Sequence, residues 1–470
     1  MQKMDIKYMT ELNERFANCS DLNIREIKRD KNVQIHLIYL SNFVDISIID
    51  FSIIKPLLEN IDTIVDENSF KDHILKGKIY HTNICFEEDL DKIEKLILDG
   101  KYVILCNNLA CIFEASKQEK RSIADAPTEV SVKGARDSFI ESIQTNVALV
   151  RRRVKLSSLK SLNYEVGVVA KSKVTVMYID GLSDKKLVEN IKSTIKNMDV
   201  SSISSPAELE ENIIPSGNSI FPQYVYTERP DKFCANLLEG RVGIFIDGFP
   251  TGYIVPGTFP MLMHDPDEYT TNFVVGSIKR VLRYIATVIS LVIPGFYVAV
   301  TAFHPNMLPT KLTASIVNSK QNVPFPTFIE ILIMLIAFEM LLEAGARLPK
   351  NIGQTISILG GLVIGEAAVN AKFVSPAVIV IVAAAGICGF LIPNQDLSNA
   401  VRISRFCLVI LSAVAGLFGL SFGITAILYY LCSLKPFEVP YFYPLSSSNG
   451  DKTFKDTLFR NSLNVKRRKQ

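Results

Sequence analysis

The hydrophobic pattern changes period near residue 276. Before it, apolar residues come in short alternating or helically spaced runs, such as VQIHLIYL (33–40), DLDKIEKLILDG (89–100) and VTVMYIDG (174–181). After it they form long blocks, each near the roughly 20 residues a helix needs to cross a hydrocarbon core. Alternation predicts strands and three-to-four spacing predicts amphipathic helices. The fold class expected is therefore an α/β cytosolic region followed by a polytopic α-helical membrane domain.

Two stretches of the first part share one layout. Strand 33–40, a helical run, helix 89–100 and KYVILCNNLACIFEA (101–115) are matched by strand 174–181, LSDKKLVENIKSTIKNM, RPDKFCANLLEG (229–240) and RVGIFIDGFPTGYIVP (241–256). With an offset of 140, Asp91-Lys92 falls on Asp231-Lys232, Leu98 on Leu238 and Gly100 on Gly240. Asn107-Asn108 falls on Asp247-Gly248, both suited to two-residue hairpin turns. Each glycine stands where a helix end calls for positive φ. Two related modules, about 30–120 and 165–260, follow from an old duplication; convergent helix–glycine–hairpin patterning is the alternative. Between them, Phe139, Ile143, Val147 and Val150 recur at helical spacing and lead into Arg151-Arg152-Arg153. That run suits anionic lipid or a neighbouring subunit, or else a solvated helix end stabilised by the macrodipole. Nucleic acid is excluded, because no basic face with interleaved aromatics accompanies it.

Five apolar segments follow, at about 281–303, 325–346, 352–369, 374–393 and 406–432. The first is expected to break at Pro294-Gly295, a candidate hinge. Leu312–Val317 is amphipathic and suits an interfacial or re-entrant piece. The positive-inside rule puts Lys279–Arg283, Arg347/Lys350 and Arg402/Arg405 in the cytosol. The fifth segment would then leave the tail outside, although Lys466-Arg467-Arg468-Lys469 prefers the inside. Either that segment, with Gly416, Gly419 and Gly423, is a helical hairpin, or one earlier segment does not span. The domains read as 1–130, module one; 131–276, linker helix and module two; 277–432, the membrane domain; and 433–470, a basic tail.

Composition supports the division. Mean hydropathy is +0.23, and residues 277–432 hold 10 Lys/Arg and 5 Asp/Glu out of 99 charged residues. No apolar stretch opens the chain, so no cleaved signal is expected and the leading region should stay cytosolic. The eight cysteines form no CxxC pair. They read as small packing residues, five of them in a reducing compartment. The isolated histidines match no metal spacing, and there is no P-loop, GxSxG or GxGxxG. An enzyme is not expected, nor a cofactor or metal.

Charge inside the apolar blocks carries the candidate chemistry. Ionisable residues at bilayer depth usually face a bundle interior or a watery path. Glu330, Glu339 and Glu343 lie in segment two, with Arg347 one turn beyond Glu343. Glu343 and Arg347 line an ion path or form a local i,i+4 pair near the cytosolic face. Glu339, with no intrahelical cation, suits a pore or a buried polar cluster, and Glu330 an outer vestibule. A ring of such carboxylates from several subunits would favour cations. In ISILGGLVIGEAAVNAKF, Gly361 and Gly365 form a close-packing stripe beside Glu366 and Asn370. The polar pair suits a pore wall or interhelical hydrogen bonds.

Several stretches together resemble the A subunit of the spore germination receptors, the GerA family. They are GARDSFIESIQTNVALVRRRVK, FPQYVYTERPD, LLEGRVGIFIDGFP, PGFYVAVTAFHPNMLPTKL, VPFPTFIEILIMLIAFEMLLEAGARLP, IGQTISILGGLVIGEAAV and VSPAVIVIV. They are collinear from about 134 to 445; residues 1–120 resemble the family only weakly. The resemblance implies a cytosolic N-terminal region and a multi-pass domain in the spore inner membrane. It also implies a homo-oligomeric ring forming a nutrient-gated ion channel, with a transporter-like, nutrient-sensing B subunit and a lipoprotein C subunit as partners. A non-conducting scaffold or signal transducer is the competing expectation. Glu366 departs from the family, which usually has an uncharged Gln there, and Thr270-Thr271 stand where it tends to place an aromatic.

Overall fold

The computed structural model describes residues 2–30, 33–41, 43–64, 67–79, 84–106, 109–114, 129, 134–213, 219–321, 323–347, 365–446 and 456–460. They divide into two compact units, 1–217 with 226–256, and 218–225 with 257–470. The 107–108 turn, most of the third apolar segment with Gly361, and the 466–469 basic run lie outside the described residues.

The first unit holds two antiparallel five-stranded sheets. One is built from β1 (Leu22–Asp30), β2 (Val33–Leu40), β3 (Ile84–Glu87), β4 (Tyr102–Cys106) and β5 (Leu109–Phe113). The other uses β6 (Leu159–Val166), β7 (Ser172–Ile179), β8 (Val225–Thr227), β9 (Val242–Ile246) and β10 (Gly252–Val255). Their strand orders, β1-β2-β4-β5-β3 and β6-β7-β9-β10-β8, are the same topology twice, as the internal offset predicts. Helix α1 spans Gln2–Arg15. Helix α2, Leu90–Leu98, buries Ile93 and Ile97 against the first sheet. Gly100 and Gly240 end matching helices at φ 84° and 88°, the left-handed region where a Cβ is costly.

The linker differs from its expected form. Helix α3 runs only over Ile143–Arg153, because the Ser142 side chain caps it by accepting from the Thr145 N–H. Phe139 lies before the cap and donates its N–H to the Glu228 carbonyl at 2.8 Å. Its ring meets Phe245 edge-on at 4.8 Å, so its helical spacing is a core contact made from extended chain. The second module adds α4 (Lys185–Lys196) and α5 (Pro230–Leu237). Phe233 of α5 stacks on Phe245 at 4.6 Å, and a Cβ at Gly243 would stand 2.1 Å from that ring. Only glycine fits there. The modules join edge to edge, with Ser20 N–H donating to Ser161 O at 2.8 Å and Ser161 N–H to Asn18 O at 3.1 Å.

The second unit is helical, with α6 (Phe273–Phe303), α7 (Thr310–Lys320), α8 (Thr327–Arg347), a helical stretch at 365–370, α9 (Pro376–Phe390) and α10 (Gln395–Ser433). Among the described residues, α6 and α10 are long and apolar enough to cross a membrane. α6 continues through Pro294-Gly295, so the expected break is absent; the missing proline N–H removes one bond of a long ladder. α10 does break. At Ala415 (φ −130°, ψ 15°) and Gly416 (φ 59°, ψ −138°) the chain leaves helical conformation. Beyond the break, a Cβ at Gly419 would sit 2.1 Å from the Leu411 carbonyl oxygen and one at Gly423 2.5 Å from Leu408 Cδ2. In a straight helix residues 408 and 423 would be about 22 Å apart. α10 is therefore a helical hairpin. Its two ends meet one segment: the Tyr224 hydroxyl is 3.5 Å from Asp396, and the Phe221 and Tyr430 rings lie 6.2 Å apart.

Candidate functional site: a charged seam inside the helical unit

The helical unit inverts the usual distribution of polarity. Leu282, Val288, Val414, Phe418 and Phe422 face outward, while Glu268, Arg280, Glu330 and Arg405 are almost wholly buried. Buried charges of this kind survive only when paired and hydrogen-bonded. They fall into three groups.

The first lies where the chain enters α6. Asp265 accepts from Asp267 N–H at 3.0 Å and starts a tight turn over Pro266–Thr270, which aims Glu268 inward. Arg280 and Arg283, three apart on one face of α6, both reach that carboxylate. Arg280 Nε is 2.8 Å from Oε2, and Arg283 Nη1 donates to Oε1. Arg283 also lies 3.2 Å from Asp265. Tail residues 456–460 close the group. Arg460 donates to the carbonyls of Glu268 and Thr271 at 2.6 Å and of Tyr269 at 3.1 Å, with its guanidinium over the Tyr269 ring. Asp456 accepts from the Tyr269 hydroxyl at 3.1 Å and lies 3.3 Å from Arg280 Nη1.

The second group is in the bundle. Glu339 of α8 accepts from Arg402 of α10 at 2.9 Å, and Arg402 also donates to Asn399. One turn along α10, Arg405 donates from Nη2 to Ser290 Oγ at 2.6 Å, and Ser290 in turn donates to the Ala385 carbonyl at 2.8 Å. The third group holds Glu330, which accepts the Ser375 N–H at 2.8 Å beside the start of α9. Lys320 stands 3.2 Å from its other oxygen and donates to Thr327.

The remaining candidates sit apart. Glu343 and Arg347 form an exposed i,i+4 pair at 2.6 Å. Glu366 and Asn370 are exposed on the 365–370 helix, and Glu366 makes no ion pair among the described residues. Pro294 and Gly295 are buried; Gly295 lies against the α10 hairpin, where a Cβ would be 2.9 Å from Ser412 Oγ.

The arginine run belongs to the first unit, where Arg151 turns inward while Arg152 and Arg153 stay exposed. Arg151 is fully buried and grips Asp21 through Nε at 2.7 Å and Nη2 at 2.9 Å, while Ser161 donates to the same carboxylate. It ties the modules together and presents no surface for lipid. Burial alone would lower the Arg151 pKa, but the charge and hydrogen bonds of Asp21 reverse this and hold it above the ordinary value. Arg153 binds Asp137 at 2.5 Å, and Arg152 lies over the Phe43 ring. Four of the five cysteines here are buried, and Cys85 is exposed on β3, an edge strand. Burial pushes the Cys234 thiol up to about 12.

Glu268, Lys320, Asp456 and Arg460 are not singled out by sequence patterning, since their partners come from separate elements. The helical spacing of Arg280 and Arg283 is a signal that they share a carboxylate.

Comparison with known proteins converges on one group. Residues 10–470 match the family model described as Bacillus/Clostridium GerA spore germination protein. Spore germination protein KA of Bacillus subtilis is 38% identical over 460 residues, 97% of this chain and 84% of that protein. The uncharacterized membrane protein YfkQ of Bacillus subtilis is 36% identical over 97% of this chain and 88% of its own length. Among solved structures, the N-terminal domain of the A subunit of the Bacillus megaterium spore germinant receptor GerK3 matches. It is 28% identical over 53% of this chain and 94% of that domain, with TM-score 0.40.

Proposed function

The chain belongs to the GerA family of spore germination proteins, and from that premise we propose that it is the A subunit of a nutrient-responsive germination receptor whose helical unit forms an ion path. The observation that carries this is the inverted polarity of that unit, with apolar faces outward and charge inside. Such an arrangement is stable in lipid, where every backbone and charged group must find its partner within the protein.

The helical unit crosses the spore inner membrane several times, with the α/β region in the cytosol. Copies assemble as a ring with a transporter-like B subunit and a lipoprotein C subunit, and the function is not enzymatic. The candidate glutamates then divide by role. Glu330 and Glu339 are neutralised by Lys320 and Arg402 within one chain and hold the bundle together. Glu366, without an ion pair among the described residues, and Glu343, held by Arg347 one turn away, are exposed on one chain and would face the lumen of a ring, where carboxylates attract cations.

The pairing of Glu330 and Glu339 also favours a second reading, a non-conducting transducer whose charged seam is structural. Ion flux separates the two. Assembled Glu343→Gln and Glu366→Gln proteins in liposomes should show a reduced preference for K⁺ over Cl⁻. Unchanged flux and selectivity in both would leave the transducer.

A further inference from the structure

Arg405 is the exception among the buried charges of the bundle. Glu330 has Lys320 and Glu339 has Arg402, whereas Arg405, 1% exposed, has no carboxylate within ion-pair distance among the described residues. Its guanidinium makes one short bond, to Ser290 Oγ at 2.6 Å, and a long one to the Ala385 carbonyl at 3.5 Å. Nε and Nη1 are buried and unused. Across the helix contact, Glu339 has a complementary surplus, since Oε2 holds Arg402 while Oε1 is buried without a hydrogen bond. Arg402 and Arg405 are three residues apart on α10, so their side chains share one face, separated by about 4.5 Å of helix rise.

We propose that Arg405 is the alternative partner of Glu339, so that the contact between α8 and α10 has two registers: Glu339 on Arg402, as observed, and Glu339 on Arg405. One carboxylate between two guanidiniums can satisfy only one of them fully. A rotamer change, or a slide of α8 along α10 by less than one turn, carries it from the first to the second. Discrete steps of this kind are how packed helices switch, because interdigitated side chains resist continuous sliding. Ser290 and the Ala385 carbonyl hold Arg405 in the idle state. Gly389 keeps that place open, since a Cβ there would stand 3.2 Å from Ser290 Oγ and 3.4 Å from Arg405 Nη2.

The test needs neither nutrient nor ion flux, so its outcome is separate from that of the ion-path reading. The full chain in detergent is heated, and the half-life of the folded form is measured for Arg402→Gln, Arg405→Gln and the double variant. Each single variant leaves Glu339 a partner and should shorten the half-life only slightly. The double variant orphans it and should fall roughly tenfold or more below the product of the single effects. Adding Glu339→Gln to the double should restore most of that loss. Single effects that simply multiply would overturn the proposal. So would a half-life that depends on chloride over gluconate and loses that dependence in Arg405→Gln, which would assign Arg405 to a bound anion. Crosslinking covers the case in which the double variant fails to fold. With native cysteines replaced, Glu339→Cys should be bridged by a short dithiol-reactive reagent to Arg402→Cys and, in a separate protein, to Arg405→Cys; bridging to position 402 alone would sink the second register.

Discussion

At the residue scale, two positions in the α/β unit make opposite use of burial. Asp21 accepts two bonds from Arg151 and one from Ser161, so Asp21→Asn leaves a guanidinium buried without its counter-charge. Removing one partner of such a pair typically costs about 3–5 kcal/mol, and the thermal midpoint of the full chain should fall accordingly. Cys234 is buried as a neutral thiol, its pKa raised from 9.0 to about 12. A raised folded-state pKa means that the contribution is intact below the ordinary thiol pKa and is lost as pH rises from about 9 towards 12. Stability measured across that window should fall, and the fall should be smaller in Cys234→Ala. Maleimide at pH 8 should label exposed Cys85 well before Cys234.

At the element scale, the α10 hairpin is the decisive feature. It depends on Gly416, the residue at positive φ, and on Gly419 and Gly423, whose missing side chains let the two arms touch. Gly423→Leu would drive a side chain into Leu408 and Leu411. Overpacking of this kind typically costs about 1–3 kcal/mol, and the variant should show a lower thermal midpoint and faster proteolysis near the 415–416 turn. The hairpin also makes a topological prediction. In proteins cleared of native cysteines, Gln395→Cys and Ser433→Cys, both at exposed positions, should be labelled by an impermeant maleimide from the same side of sealed vesicles. Labelling from opposite sides would mean that α10 is a single span.

At the scale of the helical unit, the tail is part of the structure. Arg460 satisfies three backbone carbonyls around Glu268, and Asp456 bridges Tyr269 and Arg280. Charged hydrogen bonds contribute about 1.5–3 kcal/mol each in such settings. Arg460→Ala should therefore loosen the whole group, seen as faster protease cleavage in the 440–460 region of the full chain. If cleavage is unchanged, the tail contact is incidental. Together with the hairpin, this contact brings residues near the C-terminus to the same group as the start of α6, where Arg280 and Arg283 lie.

Much of this molecule is legible in its sequence because it depends on neighbours along the chain. Strand alternation, helix spacing and the glycines at positions 100 and 240 are local, and the repeat offset gave two sheets of one topology. The Glu343–Arg347 pair is local too, one turn apart on a single helix. Tertiary structure alone decided the rest. Nothing near Glu339 announces Arg402, nothing near Glu268 announces Arg460, and Phe139 keeps helical spacing while lying outside the helix. A charge run predicts a surface, and Arg152 and Arg153 are exposed, yet Asp21, far away in sequence, draws Arg151 inside. A buried charge is governed by whichever opposite charge the fold brings within a few ångströms, and sequence spacing holds that information only when the partner lies on the same element.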